Sequence, residues 1–214
     1  YIAKGAEREA YECRFAYTGF QYIWVEGLDS EEQLESLTAL ELRSDLMPTG
    51  SIDTDSPQLM QIFNATRRSW YNNIFHGPTD CPTRERHGWS GDAQIFCDTA
   101  SYMFRFAPFA KKYLHDMYDW QDERGCLPHI APEGGADSYM RPMNGSVGWA
   151  DAGIIIPYQL SRLYGDDSIL EELYDDMARY ARFMESRCGK SSFMAEKIRL
   201  SKENRKYLVN SGQS

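Results

Sequence analysis

Apolar positions change their spacing once along this chain, near residue 56. Before it, the pattern is extended. Aromatic and β-branched residues crowd Tyr11 to Val25, broken by Gly19, which predicts two strands with a turn or bulge at Tyr17-Thr18-Gly19. A second strand fits Glu35 to Asp45, although Glu31 to Leu37 also reads as a helical turn. Two or three strands make no stable sheet unaided, so they are expected to belong to a larger one.

After residue 56 the period is helical. Ser56-Pro57 is a start signal, a hydroxyl N-cap followed by a proline whose missing N–H costs nothing there. Leu59, Ile62, Phe63, Trp70 and Ile74 follow at three-to-four spacing. A loop is expected from His76 to Gly91. A helix from about Asp92 should bury Ile95, Phe96, Thr99, Tyr102, Met103 and Phe106, with Pro108 interrupting it and Gly125 stopping its continuation through Tyr113 and Trp120. A long loop, Cys126 to Gly148, precedes a helix over Trp149–Tyr164, kinked near Pro157 and ended by Gly165. Asp166-Asp167-Ser168 caps another helix through Ser186, with Ile169, Leu170, Leu173, Met177, Tyr180, Ala181 and Met184 inward. Arg187 to Ser192 is a break, and two weaker helical pieces follow. Paired helices of similar length fit a bundle, a solenoid or a helical toroid.

Composition narrows the function classes. The 214 residues include 14 Tyr and 5 Trp, and the formal charge is -9. A nucleic-acid binder carries a basic face, and no basic run occurs here. Flat Trp and Tyr rings suit the C–H faces of sugars. No run of 18 apolar residues exists, so no membrane partner is expected. Five widely spaced Cys without a C-x-x-C pair argue against a zinc knuckle and suggest a reducing, cytoplasmic setting; one or two disulfides remain compatible with the count. His76 and His129 read as hydrogen-bonding residues, so neither a metal nor a cofactor is expected.

The densest chemistry lies between Asp80 and Asp92: three carboxylates, two guanidiniums, one imidazole and one indole. Pro82, Gly88 and Gly91 oppose a regular helix. Trp89 is too large and apolar for a purely solvated loop, and the following helix would hold the segment rigidly. If the chain is extended at Glu85, Arg84 and Arg86 point one way and Glu85 the other, toward Asp80 and Asp92. Neighbouring carboxylates and burial favour a protonated Glu85, as a general acid requires, while an adjacent arginine opposes it.

The run Asp80-Cys81-Pro82-Thr83-Arg84-Glu85-Arg86-His87-Gly88-Trp89-Ser90-Gly91-Asp92 resembles the hallmark segment of the bacterial α-L-rhamnosidases (glycoside hydrolase family 78), Asp-Cys-Pro-x-Arg-Glu-Arg-x-Gly-Trp-x-Gly-Asp, at every fixed position. Phe15 to Tyr22 with Val25 resembles the last strands of the β-domain before the family's catalytic barrel. Gly148-Trp149-Ala150-Asp151-Ala152 and Tyr164-Gly165-Asp166 resemble a later loop and helix end. The resemblance covers most of the chain, to about Ser186. It implies a mainly α fold, the first half of an (α/α)6 toroid over 51–214, preceded over 1–50 by strands of a β-sandwich domain and a linker.

The resemblance also implies roles. Glu85 matches the general acid; Asp80, Arg84, Trp89 and Asp92 match residues lining the rhamnose subsite, and Trp149 an aromatic wall of the same pocket. Asp151 would orient that wall's loop or serve as a helix N-terminal carboxylate. The implied reaction is inverting hydrolysis of terminal α-L-rhamnose from glycans or glycosides. The family's base is a downstream glutamate, and no position here matches it; Glu133 and Glu185 lie outside any matching motif. Tyr207 to Gly212 resembles sequence just before another barrel loop, so the chain is expected to be truncated, inactive alone and completed by the remainder of the catalytic domain. The alternatives are another inverting hydrolase on the same toroid and a non-catalytic sugar-binding or scaffolding helical domain.

Overall fold

The computed structural model describes residues 1–135, 141–189 and 201–207. Most of the closing Tyr207–Gly212 run and most of the sequence of the weak helical pieces after Ser192 lie outside them. Through residue 50 the described chain holds no strand ladder, only a one-turn 3-10 helix at Glu31–Gln33 and an isolated bridge from Pro48 to Phe104. The strands expected at Tyr11 to Val25 and Glu35 to Asp45 therefore do not pair. An extended segment becomes a strand only when a neighbour accepts its backbone hydrogen bonds, and none does so among the described residues; Tyr22, Trp24, Leu37 and Leu40 are exposed. The segment nevertheless docks on the helical part. Ser44 N–H donates to Ile74 O at 2.7 Å, and Thr49 N–H to Met103 O at 2.9 Å. The Arg43 guanidinium lies 3.7 Å from the centre of the Tyr71 ring.

Helix α1 spans Pro57–Tyr71, opened as expected by Ser56, whose hydroxyl accepts the Leu59 N–H. Its buried contact is at its end, where Trp70 stacks on Phe96 at 4.8 Å and meets the edge of Phe106 at 5.5 Å. Leu59 and Ile62 remain exposed, and Ile74 lies beyond the helix, fully buried. Helices α2, Ser90–Met103, and α3, Ala107–Tyr118, are separated by an extended Phe104. Pro108 sits at the start of α3, where it opens the helix rather than breaking one. That helix ends at Tyr118, so Trp120 lies outside it and Gly125 serves a later turn instead.

The buried face of α2 matches the expected one only in part: Met103 and, beyond the helix, Phe106 are buried as expected. Ala93, Cys97, Ala100 and Met103 point inward, while Ile95 and Tyr102 are exposed. Helix α4, Ala152–Tyr164, packs against α2, with the Arg162 guanidinium donating to Asp98 and Tyr164 OH to Ser101 O at 3.3 Å. Helix α4 also packs on α3, where Tyr118 OH donates to Gly153 O at 2.8 Å. Pro157 lies within α4 with Ile156 and Leu160 buried around it. Gly165 ends the helix at φ 63, a left-handed conformation that costs a residue without Cβ little. The helix expected from Ser168 to Ser186 is two: α5, Ser168–Glu172, and α6, Tyr174–Arg187, divided at Leu173. Ile169, Leu173, Met177, Tyr180 and Phe183 form their inward face, and Ala181 is exposed. A single turn, α7, spans Lys202–Arg205.

Candidate active site

The motif is held on a short antiparallel pairing of two loops. Ala131 N–H donates to Gly88 O at 2.9 Å, and Ser90 N–H to His129 O at 2.8 Å, with Trp89 opposite Ile130 between them. The second bond satisfies one of the N–H groups that the start of α2 leaves without an intrahelical partner. Tyr113, buried in α3, donates its hydroxyl to Gly88 O at 2.8 Å, fixing the motif to the core. There is no room for a side chain at residue 88: a Cβ would lie 2.0 Å from Ala131 O.

Upstream, Thr79 N–H donates to Asn73 O at 2.8 Å, and a turn runs over 82–85. Asp80 closes this turn, its Oδ1 accepting the His87 N–H at 3.0 Å and its own N–H reaching His87 O at 3.1 Å. The expected extended conformation at Glu85 is therefore corrected: a closed turn brings residues 80 and 87 together. Arg84 does not stay off the Glu85 axis either; its guanidinium approaches Glu85 Oε1 at 3.3 Å, largely in solvent. Glu85 is partly exposed, and its Oε2 accepts the Trp89 indole N–H at 3.0 Å.

Asp92 lies in the first turn of α2. Burial pushes its carboxyl above the usual range, and the negative charges of Asp80 and Glu85 push the same way. Trp89 and Trp149 stand edge to face at 6.5 Å, and Trp149 is 42% exposed. Asp151 precedes α4 but makes no side-chain capping bond to it; its carboxylate instead holds the Trp149 loop, accepting the Gly148 N–H at 2.9 Å. The structure thus places Asp80, Arg84, Glu85, Trp89, Asp92 and Trp149 in one connected neighbourhood. A cavity of about 390 Å³ elsewhere, lined by Trp120, Asp122, Glu133 and Arg141 among others, includes none of them.

His129 is a member of this neighbourhood that the sequence reading treated only as a hydrogen-bonding loop residue. Its ring lies 5.6 Å from Trp149 and 6.5 Å from Trp89. Nε2 accepts the Ser146 N–H at 3.2 Å, so the neutral ring carries its proton on Nδ1. Burial pushes its pKa down from 6.5 to about 4. Both folded and unfolded chains hold it neutral above pH 6.5. As pH falls toward 4, the unfolded chain takes up a proton that the folded one refuses, so stability present above 6.5 is lost through that window, by about 3 kcal/mol. Melting followed across pH 7 to 4 is expected to show this slope, and His129→Gln, which binds no proton, is expected to flatten it. An unchanged slope in the variant would place the acid sensitivity elsewhere.

The five cysteines are all free thiols. Among the described residues, no three His, Cys, Asp or Glu side chains stand close enough to hold a metal ion, and no helix is long and apolar enough to cross a membrane.

Comparison with known proteins decides the family. The model of the bacterial alpha-L-rhamnosidase 6 hairpin glycosidase domain matches residues 47–203, most of the chain, and that of the bacterial alpha-L-rhamnosidase concanavalin-like domain matches residues 1–43. The chain belongs to the bacterial alpha-L-rhamnosidases. An alpha-L-rhamnosidase of Streptomyces avermitilis is 33% identical over 186 residues, 86% of this chain and 18% of that protein. One from Formosa agariphila is 29% identical over 206 residues, 92% of this chain and 21% of that protein. The chain therefore spans about a fifth of the length of these relatives. The solved structure of the Streptomyces avermitilis alpha-L-rhamnosidase complexed with L-rhamnose superposes with a TM-score of 0.64 at 32% identity, covering 68% of this chain and 14% of that one. That from Dictyoglumus thermophilum gives 0.63 at 29% identity, covering 71% and 17%. The helices of this chain fit an (α/α)6 toroid.

Proposed function

We propose that the protein containing this chain hydrolyses terminal α-L-rhamnosides with inversion, and that Glu85 is its general acid. The observation that carries this reading is the setting of Glu85. One carboxylate oxygen is fixed by the Trp89 indole, and the side chain stays open to solvent beside Asp80 and Asp92. A general acid needs this combination of a fixed direction and access to the leaving oxygen. Asp80 and Asp92 accept sugar hydroxyls, Arg84 donates to one, and Trp89 and Trp149 cover the apolar sugar face. Glu85 protonates the glycosidic oxygen while a second carboxylate, ~6.5–9.5 Å away, draws a proton from water on the opposite face. We place that base outside this chain, consistent with the fifth of the relatives' length that the chain spans.

The reading puts the domain boundary near residue 50, so that 1–50 closes a β-domain and linker and 51–214 begins the barrel. The ranges matched by the two family models support it. The five free thiols support a reducing, cytoplasmic setting. The test is the anomer released. Proton NMR of the full-length protein acting on an aryl α-L-rhamnoside is expected to show the β anomer first. Initial α anomer would mean retention and would overturn the assignment, as would failure to cleave rhamnosides.

A further inference from the structure

Residue 86, next to the proposed acid, has left-handed backbone, φ 56. A residue with a Cβ adopts that conformation at a cost, which contacts of its side chain can offset. Here they are made with the segment at 17–19, nearly seventy residues earlier. The Arg86 guanidinium donates to Tyr17 O and lies 5.6 Å from the centre of the Tyr17 ring. Tyr17 is itself seated on Phe75 of the motif loop, the two rings stacked at 3.9 Å. Gly19 N–H donates to Pro82 O at 3.0 Å, and a Cβ on Gly19 would lie 2.7 Å from Thr83 Cγ2. The turn carrying Glu85 is thus gripped at both ends by a segment outside the helical part. Inside the turn, Glu85 N–H points at Cys81 Sγ, 3.1 Å away.

We infer that Arg86 and the Tyr17–Gly19 segment are positioning elements for the acid, aiming Glu85 by fixing the backbone on either side of it. This rests on Glu85 being the general acid. The residues matched to the concanavalin-like domain then contribute to chemistry in the helical domain. Arg86 has its guanidinium engaged by Tyr17. Its left-handed turn sends its own side chain to Tyr17 while the adjacent Glu85 reaches Trp89.

The test uses the full-length protein and two substrates. An alkyl rhamnoside needs its leaving oxygen protonated; a dinitrophenyl rhamnoside does not. Arg86→Ala is expected to lower kcat on the alkyl substrate ~10–100-fold, the order expected of a misaimed acid. On the dinitrophenyl substrate the loss is expected to stay below ~3-fold, and KM to stay within ~2-fold on both. Arg86→Lys keeps one donor for Tyr17 O and should recover most of the loss. Arg86→Gly accepts the left-handed turn without the clamp and should resemble Arg86→Ala. Gly19→Ala, which pushes on Thr83, should show the same substrate split. Equal losses on both substrates would mean a merely structural role and overturn the inference, as would wild-type activity in Arg86→Gly. Glu85→Gln is the control. If it shows the split and Arg86→Ala does not, only the positioning role fails; if it shows none, the acid assignment falls and this inference with it.

Discussion

Glu85→Gln in the full-length protein is expected to reduce hydrolysis of alkyl rhamnosides by ~10²–10⁴-fold, the range that a positioned general acid contributes. Glutamine keeps an oxygen for the Trp89 indole N–H, now bonded at 3.0 Å, so the side chain should stay in place. Asp80, Arg84, Asp92 and the two tryptophans are untouched, so substrate should bind with KM within a few-fold of wild type. A fall in kcat at nearly constant KM is the signature of an interaction made in the transition state alone. Trp89→Phe is a milder companion: it keeps most of the aromatic face and removes the donor that fixes Glu85, so it should lower kcat less than Glu85→Gln does. Steady-state kinetics on purified variants decides. Near wild-type kcat in Glu85→Gln would remove Glu85 from the mechanism; a large rise in KM with unchanged kcat would recast it as a binding residue.

What could be read from the sequence was what local chemistry controls. Ser56-Pro57 and Gly165 marked helix ends through a hydroxyl cap, a proline without its donor and a left-handed glycine, all properties of one or two residues. The chemical content of Asp80 to Asp92 was legible because its residues are contiguous. Misreadings came where distant segments decide. Of the residues expected inside α2, Met103 is buried and Phe96 stacks on Trp70, but Ile95 and Tyr102 are exposed and Ala93, Cys97 and Ala100 complete the buried face instead. The extended turn expected at Glu85 ignored the Asp80–His87 closure. The segments before residue 50 form no ladder among the described residues, in keeping with the expectation that they need a larger sheet, and the concanavalin-like domain model matches 1–43. His129 joined the site through bonds to Ser90 and Ser146, and Tyr17 met Arg86 across 69 residues; no periodicity records contacts of that kind.

Gly88→Ala is expected to cost the helical domain about 3–5 kcal/mol, the largest stability effect of any single methyl in the motif. The added carbon would lie 2.0 Å from Ala131 O and 3.1 Å from Ala131 C, both backbone atoms, so no flexible side chain can swing aside. Relief requires the two loops to part. That overpacking costs about 1–3 kcal/mol. Parting also weakens the Ala131 N–H and Tyr113 OH bonds to Gly88 O, each worth about 1 kcal/mol. Because Trp89 and Ser90 follow directly, the opening would carry Trp89 away from Glu85 and Ser90 away from His129 O. Activity should therefore fall further than the loss of folded protein accounts for. Gly77→Ala supplies the contrast within the same loop. Residue 77 is also buried, but its new carbon would meet Tyr113 Cδ2 at 3.6 Å, ordinary contact, so its melting temperature should stay close to wild type. Thermal melting of both variants, with kcat measured on the folded fraction, separates the outcomes. If Gly88→Ala melts with Gly77→Ala, the close approach of the two loops is not what holds the motif in place.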